Sequence, residues 1–428
     1  MSSGVVKEAG WYRTLLPVLA VGIFFTNLSN YTERFGLIGL VWIAIYVGLC
    51  IPVVVQGVSA GSVSLPPLVW WAGLYVLMSV LWFYRSPQDA FAYDELRLRV
   101  LSALFLAVSL IAFADASAQR AGRIAIAVAT IVAVALNLYE LFNPQTFSTV
   151  VGRAAGLYGD SNQSAAALVL GLILGYGIVP AWARVPFVMA TAVGIIPTFS
   201  RSGILAWLLV VAFFMLRAGL GVAQLRRVAL LTVVVVGTLV SPLWGSVEQA
   251  LYKRGALNAD VLNRINFFSG KASSDASAVE RNAVAAKAWE LVGEAPLRGH
   301  GTGAALRIDG FEVGTHNMYL ALMVDHGFAV GIAIIPLLLL ATLWGAGRHT
   351  VGLTIPLAGF IALLCLFSHT VLEDRYVLVT ISLMASAVAT NRAPHRAWAA
   401  RSPYMGRAQS MLDGSARRRL ATNGSWLA

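Results

Sequence analysis

The chain has 428 residues, 58% of them apolar and only 12% charged, with a formal net charge of +11 and a mean hydropathy of +0.75. A soluble protein of this length would carry about a quarter charged residues and divide into two or three domains, so that class is excluded. The basic excess does not point to nucleic acid, because seven basic residues sit in the tail between Arg392 and Arg419, where membrane topology explains them better.

Along the chain, Lys7 and Arg13 precede a first apolar run that resembles a signal peptide. No small-residue cleavage site follows, so it reads as a retained helix. About twelve apolar spans are expected, near 14–29, 36–55, 64–83, 100–114, 122–141, 164–183, 185–199, 203–218, 228–246, 328–347, 352–370 and 376–390. Each is about long enough to cross a ~30 Å hydrocarbon core. The runs are continuously apolar and do not alternate, which implies helices and not a barrel. The expected fold is therefore all-α, a polytopic integral membrane protein. Cys50 and Cys365 both lie inside apolar runs, leaving neither a disulfide framework nor a thiolate metal site.

Orientation follows from the basic loops. Arg120 and Arg123, then Arg217, Arg226 and Arg227, and finally the tail all fall on one side, which is expected to be cytoplasmic together with both termini. The connections 30–35, 84–99, 142–163, 199–202 and 371–375 then face outward, as does one long loop at about 247–317. Residues 1–390 form one transmembrane unit containing that loop, and 391–428 a basic cytoplasmic tail, Arg-, Ser- and Ala-rich and expected to be disordered. The loop holds eight basic and eight acidic residues, so its length and not its charge allows translocation. Within it, Ala276 to Val292 reads as an amphipathic helix with Ala283, Ala286, Trp289 and Val292 at helical spacing, capped by Ser273, Ser274 or Asp275. Such a helix lies on the membrane surface or roofs a cavity, the first role being the commoner.

Charges inside the expected spans are almost absent. Glu140 and Asp115 fall near span ends, and Asp325 and His326 stand at a helix entry before Gly327. Ion-coupled transporters need carboxylates or histidines near the bilayer midplane, so a transporter is disfavoured. The informative polar residues cluster at outward helix ends instead. They are Gly152-Arg153-Ala154-Ala155-Gly156 with Asp160-Ser161-Asn162, then Ser200-Arg201-Ser202-Gly203, then Glu280-Arg281, and finally Gly299-His300-Gly301-Thr302-Gly303 leading to Thr315-His316-Asn317. Several arginines beside one histidine suit an anionic lipid-linked substrate. Guanidinium grips phosphate bidentately, and imidazole takes a proton from a hydroxyl near neutral pH. No carboxylate cluster with metal spacing accompanies them, so arginine and not Mg²⁺ is expected to neutralise a diphosphate. Each residue also has a plain reading: Arg153 and Arg201 as head-group anchors, Arg281 as a solvated helix face, His316 as a structural hydrogen-bonding group, the Gly-rich segments as turns.

Two of these stretches resemble the O-antigen ligase family, within the group that also holds O-antigen polymerases and some protein O-oligosaccharyltransferases. One is Arg201-Ser202-Gly203-Ile204-Leu205. The other is His316-Asn317, nine further residues, then Gly327-Phe328-Ala329-Val330. The resemblance runs through residues 84 to 376, with Arg281 and the Gly299–Gly303 turn between the motifs.

Membership would imply a glycosyltransferase on an all-helical fold of the GT-C type, in the bacterial inner membrane, working without metal or cofactor on the periplasmic face. It would take O-antigen from undecaprenyl diphosphate to a sugar hydroxyl of the lipid A core oligosaccharide, among membrane lipids. By that resemblance Arg201 and Arg281, with Arg153, hold the diphosphate. His316 acts on the acceptor hydroxyl as base or orienting group, supported by Asn317. Asn162 and Arg85 are further substrate-binding candidates, and Arg34 is another outward arginine. A polymerase, a protein O-oligosaccharyltransferase and a lipid-linked sugar flippase or binding scaffold stand as alternatives.

Overall fold

The computed structural model describes residues 4–59, 66–217, 252, 276–308, 314–347 and 350–400. The expected span at 228–246, the capping residues Ser273, Ser274 and Asp275, and the tail from 401 lie outside them. Every regular element among the described residues is helical: α1 (Gly4–Ala20, continued by a π turn, Val21–Phe25), α2 (Leu28–Tyr31), α3 (Gly39–Ser59), α4 (Pro67–Phe83), α5 (Ala90–Ala112), α6 (Ala116–Phe142), α7 (Ser161–Gly175), α8 (Arg184–Ile195), α9 (Arg201–Arg217), α10 (Ala276–Glu294), α11 (Met318–His326), α12 (Phe328–Leu343), α13 (Val351–Phe367) and α14 (Arg375–Ala400). Among the described residues, Gly39–Gln56, Ala116–Phe142 and Ala181–Thr198 are helical stretches long and apolar enough to cross a membrane, and the pair Trp11–Phe25 and Leu28–Phe35, bent by 51°, adds a fourth. Shorter apolar helices occupy Pro67–Phe83, Ser161–Gly175, Phe328–Leu343, Val351–Phe367 and Arg375–Thr390. The chain is a membrane protein.

α7 forms the centre. From Ser164 to Gly175 it is buried on every side, as expected of a helix that is apolar all round, and α6, α8, α9, α13 and α14 pack about it. Small residues permit the closest approach, because apolar burial alone does not drive helices together in lipid. At Gly203, on the first turn of α9, an added Cβ would come within 2.5 Å of the Ala165 methyl. Polar staples supply direction. Buried Asn137 donates through Nδ2 to Ser164 Oγ and to the Gly194 carbonyl, both at 2.9 Å. Ser382, Ser386 and Thr390 on α14 donate in four-residue steps to the carbonyls of Leu106, Leu110 and Ala114, at 3.3, 3.0 and 3.2 Å. That ladder locks α14 along α5.

α10 buries Val284, Ala288 and Val292 against Leu320, Ala321, Met323 and Val324 of α11 and against Ala304, Ala305 and Ile308. This corrects the expected face: Ala283, Ala286 and Trp289 are exposed and only Val292 points inward. Four-residue spacing from Val284 gives the more strongly apolar stripe, and α11 offers it a partner. The turn between α10 and α11 needs its glycines. Gly299 has φ 61°, and a Cβ there would lie 2.3 Å from the Asp325 carbonyl oxygen and 2.5 Å from the Gly327 nitrogen. Both obstacles are backbone, so Gly299→Ala is expected to lower the unfolding temperature in detergent by several degrees, the left-handed cost alone being about 1–2 kcal/mol.

Candidate functional site

The site is assembled by loops that the helix ends hold in place. Glu140, 2% exposed at the end of α6, accepts backbone N–H groups from Phe147 at 2.9 Å, Ala155 at 2.7 Å and Gly156 at 3.0 Å, and another from Ser148. A single carboxylate thus winds residues 147–156 about itself. The Ala155 and Gly156 donors of the Gly-rich segment are directed to that carboxylate. Arg153 is carried inward, 5% exposed, donating from Nε to the Thr198 carbonyl at 3.0 Å and from Nη2 to Asn162 Oδ1 at 3.1 Å. The Ala154 N–H reaches the Pro197 carbonyl at 2.9 Å, so this loop and the turn before α9 are one unit.

That turn passes through Phe199, left-handed at φ 49°. Ser200 then caps α9, its Oγ accepting from the Gly203 N–H at 3.2 Å. Half-buried Arg201 stands in the first turn. A cation there opposes the helix dipole, a cost of about 0.3–1 kcal/mol that disappears when an anion is present. Beside it, Asp160 caps α7 by accepting from the Asn162 and Gln163 N–H groups at 2.8 and 3.0 Å, which places Asn162 and Gln163 at the floor of a cavity.

His316 enters from the other side. It is half-buried, has φ 49°, and directly precedes α11. Asn317 is the cap of that helix, accepting from the Leu320 N–H at 3.1 Å. The His316 pKa is pulled below its usual 6.5 first by burial and next by the Arg281 guanidinium, against opposing pulls from Asp160 and Glu280. His369 meets His316 edge to face with ring centroids 5.6 Å apart, and is likewise held low, by burial and then by His316. Asp374 accepts from Gln163 Nε2 at 3.3 Å, from Thr370 Oγ1 at 3.2 Å and from the Tyr376 hydroxyl at 3.3 Å; burial pushes its carboxyl up to about 7.

These groups surround a cavity of about 270 Å³. Its lining combines polar Asp160, Asn162, Gln163, Ser202, His316, His369 and Thr370 with apolar Ala206, Phe360, Leu364 and Phe367. Among the described residues no three His, Cys, Asp or Glu side chains converge as metal ligands would. The lining offers an imidazole held toward its neutral form for a hydroxyl proton and apolar side chains for a hydrocarbon chain, with Arg153 and Arg281 one residue removed from it.

Of the sequence candidates, His316 and Asn162 line the cavity; Arg153 holds Asn162 and Arg281 acts on His316 from outside the lining, while Arg201 is the chain neighbour of the lining residue Ser202. Asn317 supports from below as a helix cap. Arg85 stands apart, exposed at the end of α4 with its guanidinium 5.7 Å from the Trp82 ring. Arg34 donates to the Phe147 carbonyl at 2.6 Å and so braces the 147–156 loop. Sequence reasoning named Asp160 among the polar helix-end residues without giving it a role, missed His369 and Asp374, and placed Glu95 and Arg99 in an outward-facing connection, where the structure buries them.

Residues 185–335 match a family model described as O-antigen ligase. The match includes Arg201, Arg281 and His316 and leaves Arg153, Asn162 and Arg85 outside. No curated protein matches the chain.

Proposed function

We propose that this chain, which belongs to the O-antigen ligase family through residues 185–335, transfers an O-antigen polysaccharide from undecaprenyl diphosphate to a sugar hydroxyl of the lipid A core. The site would face the periplasm, with both termini in the cytoplasm, as the basic loops favour. The observation that carries the reading is a half-buried imidazole, held toward its neutral form by burial and a neighbouring guanidinium, on a cavity lined by both polar and apolar side chains. Arg153, Arg201 and Arg281 would bind the diphosphate, with the apolar side chains beside the polyprenyl chain. As the bond from the anomeric carbon to the phosphate oxygen breaks, these arginines take up the growing negative charge. The acceptor oxygen forms the new bond from the opposite face and gives its proton to His316, so one displacement inverts the anomeric carbon.

A transfer assay with purified full chain, lipid-linked O-antigen and rough lipopolysaccharide, run with EDTA, tests this. Native chain is expected to form product under chelation, and Arg201→Ala to form it about 10²- to 10³-fold more slowly, the range for loss of one charge-stabilising donor. Full activity of Arg201→Ala would remove Arg201 from the site. Lengthening of the lipid-linked donor without transfer to lipopolysaccharide would identify a polymerase.

A further inference from the structure

Alongside the cavity lies a charged cluster that the proposed chemistry does not use. Arg99 of α5 is 2% exposed, Glu95 6%, Asp325 1% and His326 0%. Arg99 donates from Nε to Glu95 Oε1 at 2.7 Å, contacts His326 Nε2 from Nη1 at 2.9 Å, and pairs through Nη2 with Asp325 Oδ2. Asp325 in turn accepts the Gly303 and Ala305 N–H groups at 3.2 and 3.0 Å. Burial and then the charge of Glu95 raise the Glu373 carboxyl pKa, and Glu373 neighbours Asp374, whose carboxyl accepts from Gln163 and Thr370 of the cavity lining. One guanidinium thereby joins α5, α11 and the glycine turn before it.

The geometry matters because α11 has only nine residues. Its first end follows His316 and Asn317, and its last two residues are the partners of Arg99. A helix this short, about 13 Å long, moves as a rod. We propose that Arg99, acting through Asp325 and His326, is a positioning residue that sets the placement of His316 in the cavity. The role needs the planar guanidinium, which serves three acceptors at once; a lysine ammonium on a flexible stem cannot hold the same fork. The proposal rests on the transferase reading of the cavity for its kinetic consequence, though not for its structural one.

The test compares native full chain with Arg99→Lys, following unfolding temperature, transfer rate, donor KM, and carbethoxylation of His316 by diethyl pyrocarbonate, read by mass spectrometry with His300 as internal reference. Arg99→Lys is expected to lower kcat by about ten- to a hundredfold, the scale of a displacement near 1 Å, with donor KM within about twofold. The His316 labelling rate should change severalfold relative to His300. A folded Arg99→Lys with native His316 labelling overturns the proposal, as does a raised KM with unchanged kcat. Should Arg99→Lys fail to fold, Asp325→Asn decides by the same criteria, since its amide oxygen still accepts a turn N–H. If native chain transfers nothing, the ligase reading falls, and labelling alone decides whether Arg99 places His316.

Discussion

His316→Ala is expected to lower turnover by about 10²- to 10⁴-fold, the usual contribution of a positioned general base, while donor binding changes little. In the proposed transfer the diphosphate would be held by arginines, and the imidazole would act on the acceptor. A rise in donor KM with unchanged kcat would instead make His316 a binding residue. The pH profile separates base from bystander. The reactive form of such a base would be neutral imidazole, and burial with Arg281 holds the pKa below 6.5. The kcat/KM profile of native chain should therefore rise along an acid limb below pH 6.5 and flatten above it. Arg281→Gln removes a lowering influence, so its limb moves to higher pH. Asp160→Asn removes a raising one and moves the limb lower. Limbs that stay fixed in both variants would show that the titrating base is another group.

The second large effect is structural. Glu140→Ala should destabilise the protein by about 3–5 kcal/mol, because the buried N–H groups of Phe147, Ser148, Ala155 and Gly156 lose their acceptor together. Glu140→Gln, with one carbonyl oxygen left, should fall between. Thermal unfolding in detergent measures both. In the Gln variant, if folded, the loop that carries Arg153 is loosened, so donor KM should rise more than kcat falls. An unfolding temperature of Glu140→Ala equal to native would mean that these N–H groups find water, and that the 147–156 loop does not depend on this carboxylate.

The helical character was legible in the sequence, since long apolar runs admit little else. Described helices lie at each expected span other than 228–246. Most of the candidate site was legible as well: Arg153, Asn162, Arg201, Arg281 and His316 stand out as polar residues in Gly- and Ser-rich helix ends. What stayed hidden depends on long-range pairing. Nothing local to Asp160 says that it shares a cavity with residue 316, or to Asp374 that it bonds Gln163 and Thr370 of that cavity's lining. His369 looked structural because its partner is 53 positions away. Glu95 and Arg99 show an i,i+4 pair, readable as a solvated helix face. Only contact with Asp325, 226 positions on, makes it a buried junction. The Gly-rich segments follow their plain reading as turns, because Glu140 and Asp325 take N–H groups from each.

The left-handed backbone at His316 carries an implication for how this chain can change. A β-substituted residue in that region costs about 1–2 kcal/mol, whereas glycine adopts it freely and asparagine with little penalty. If His316 is the base of the proposed transfer, position 316 is one where heat resistance and turnover select opposite residues. A library sorted for survival at high temperature alone would drift toward Gly or Asn there, enriching robust proteins that lack the imidazole. Fitness landscapes of this chain should show, at that one position, a peak for persistence displaced from the peak for work.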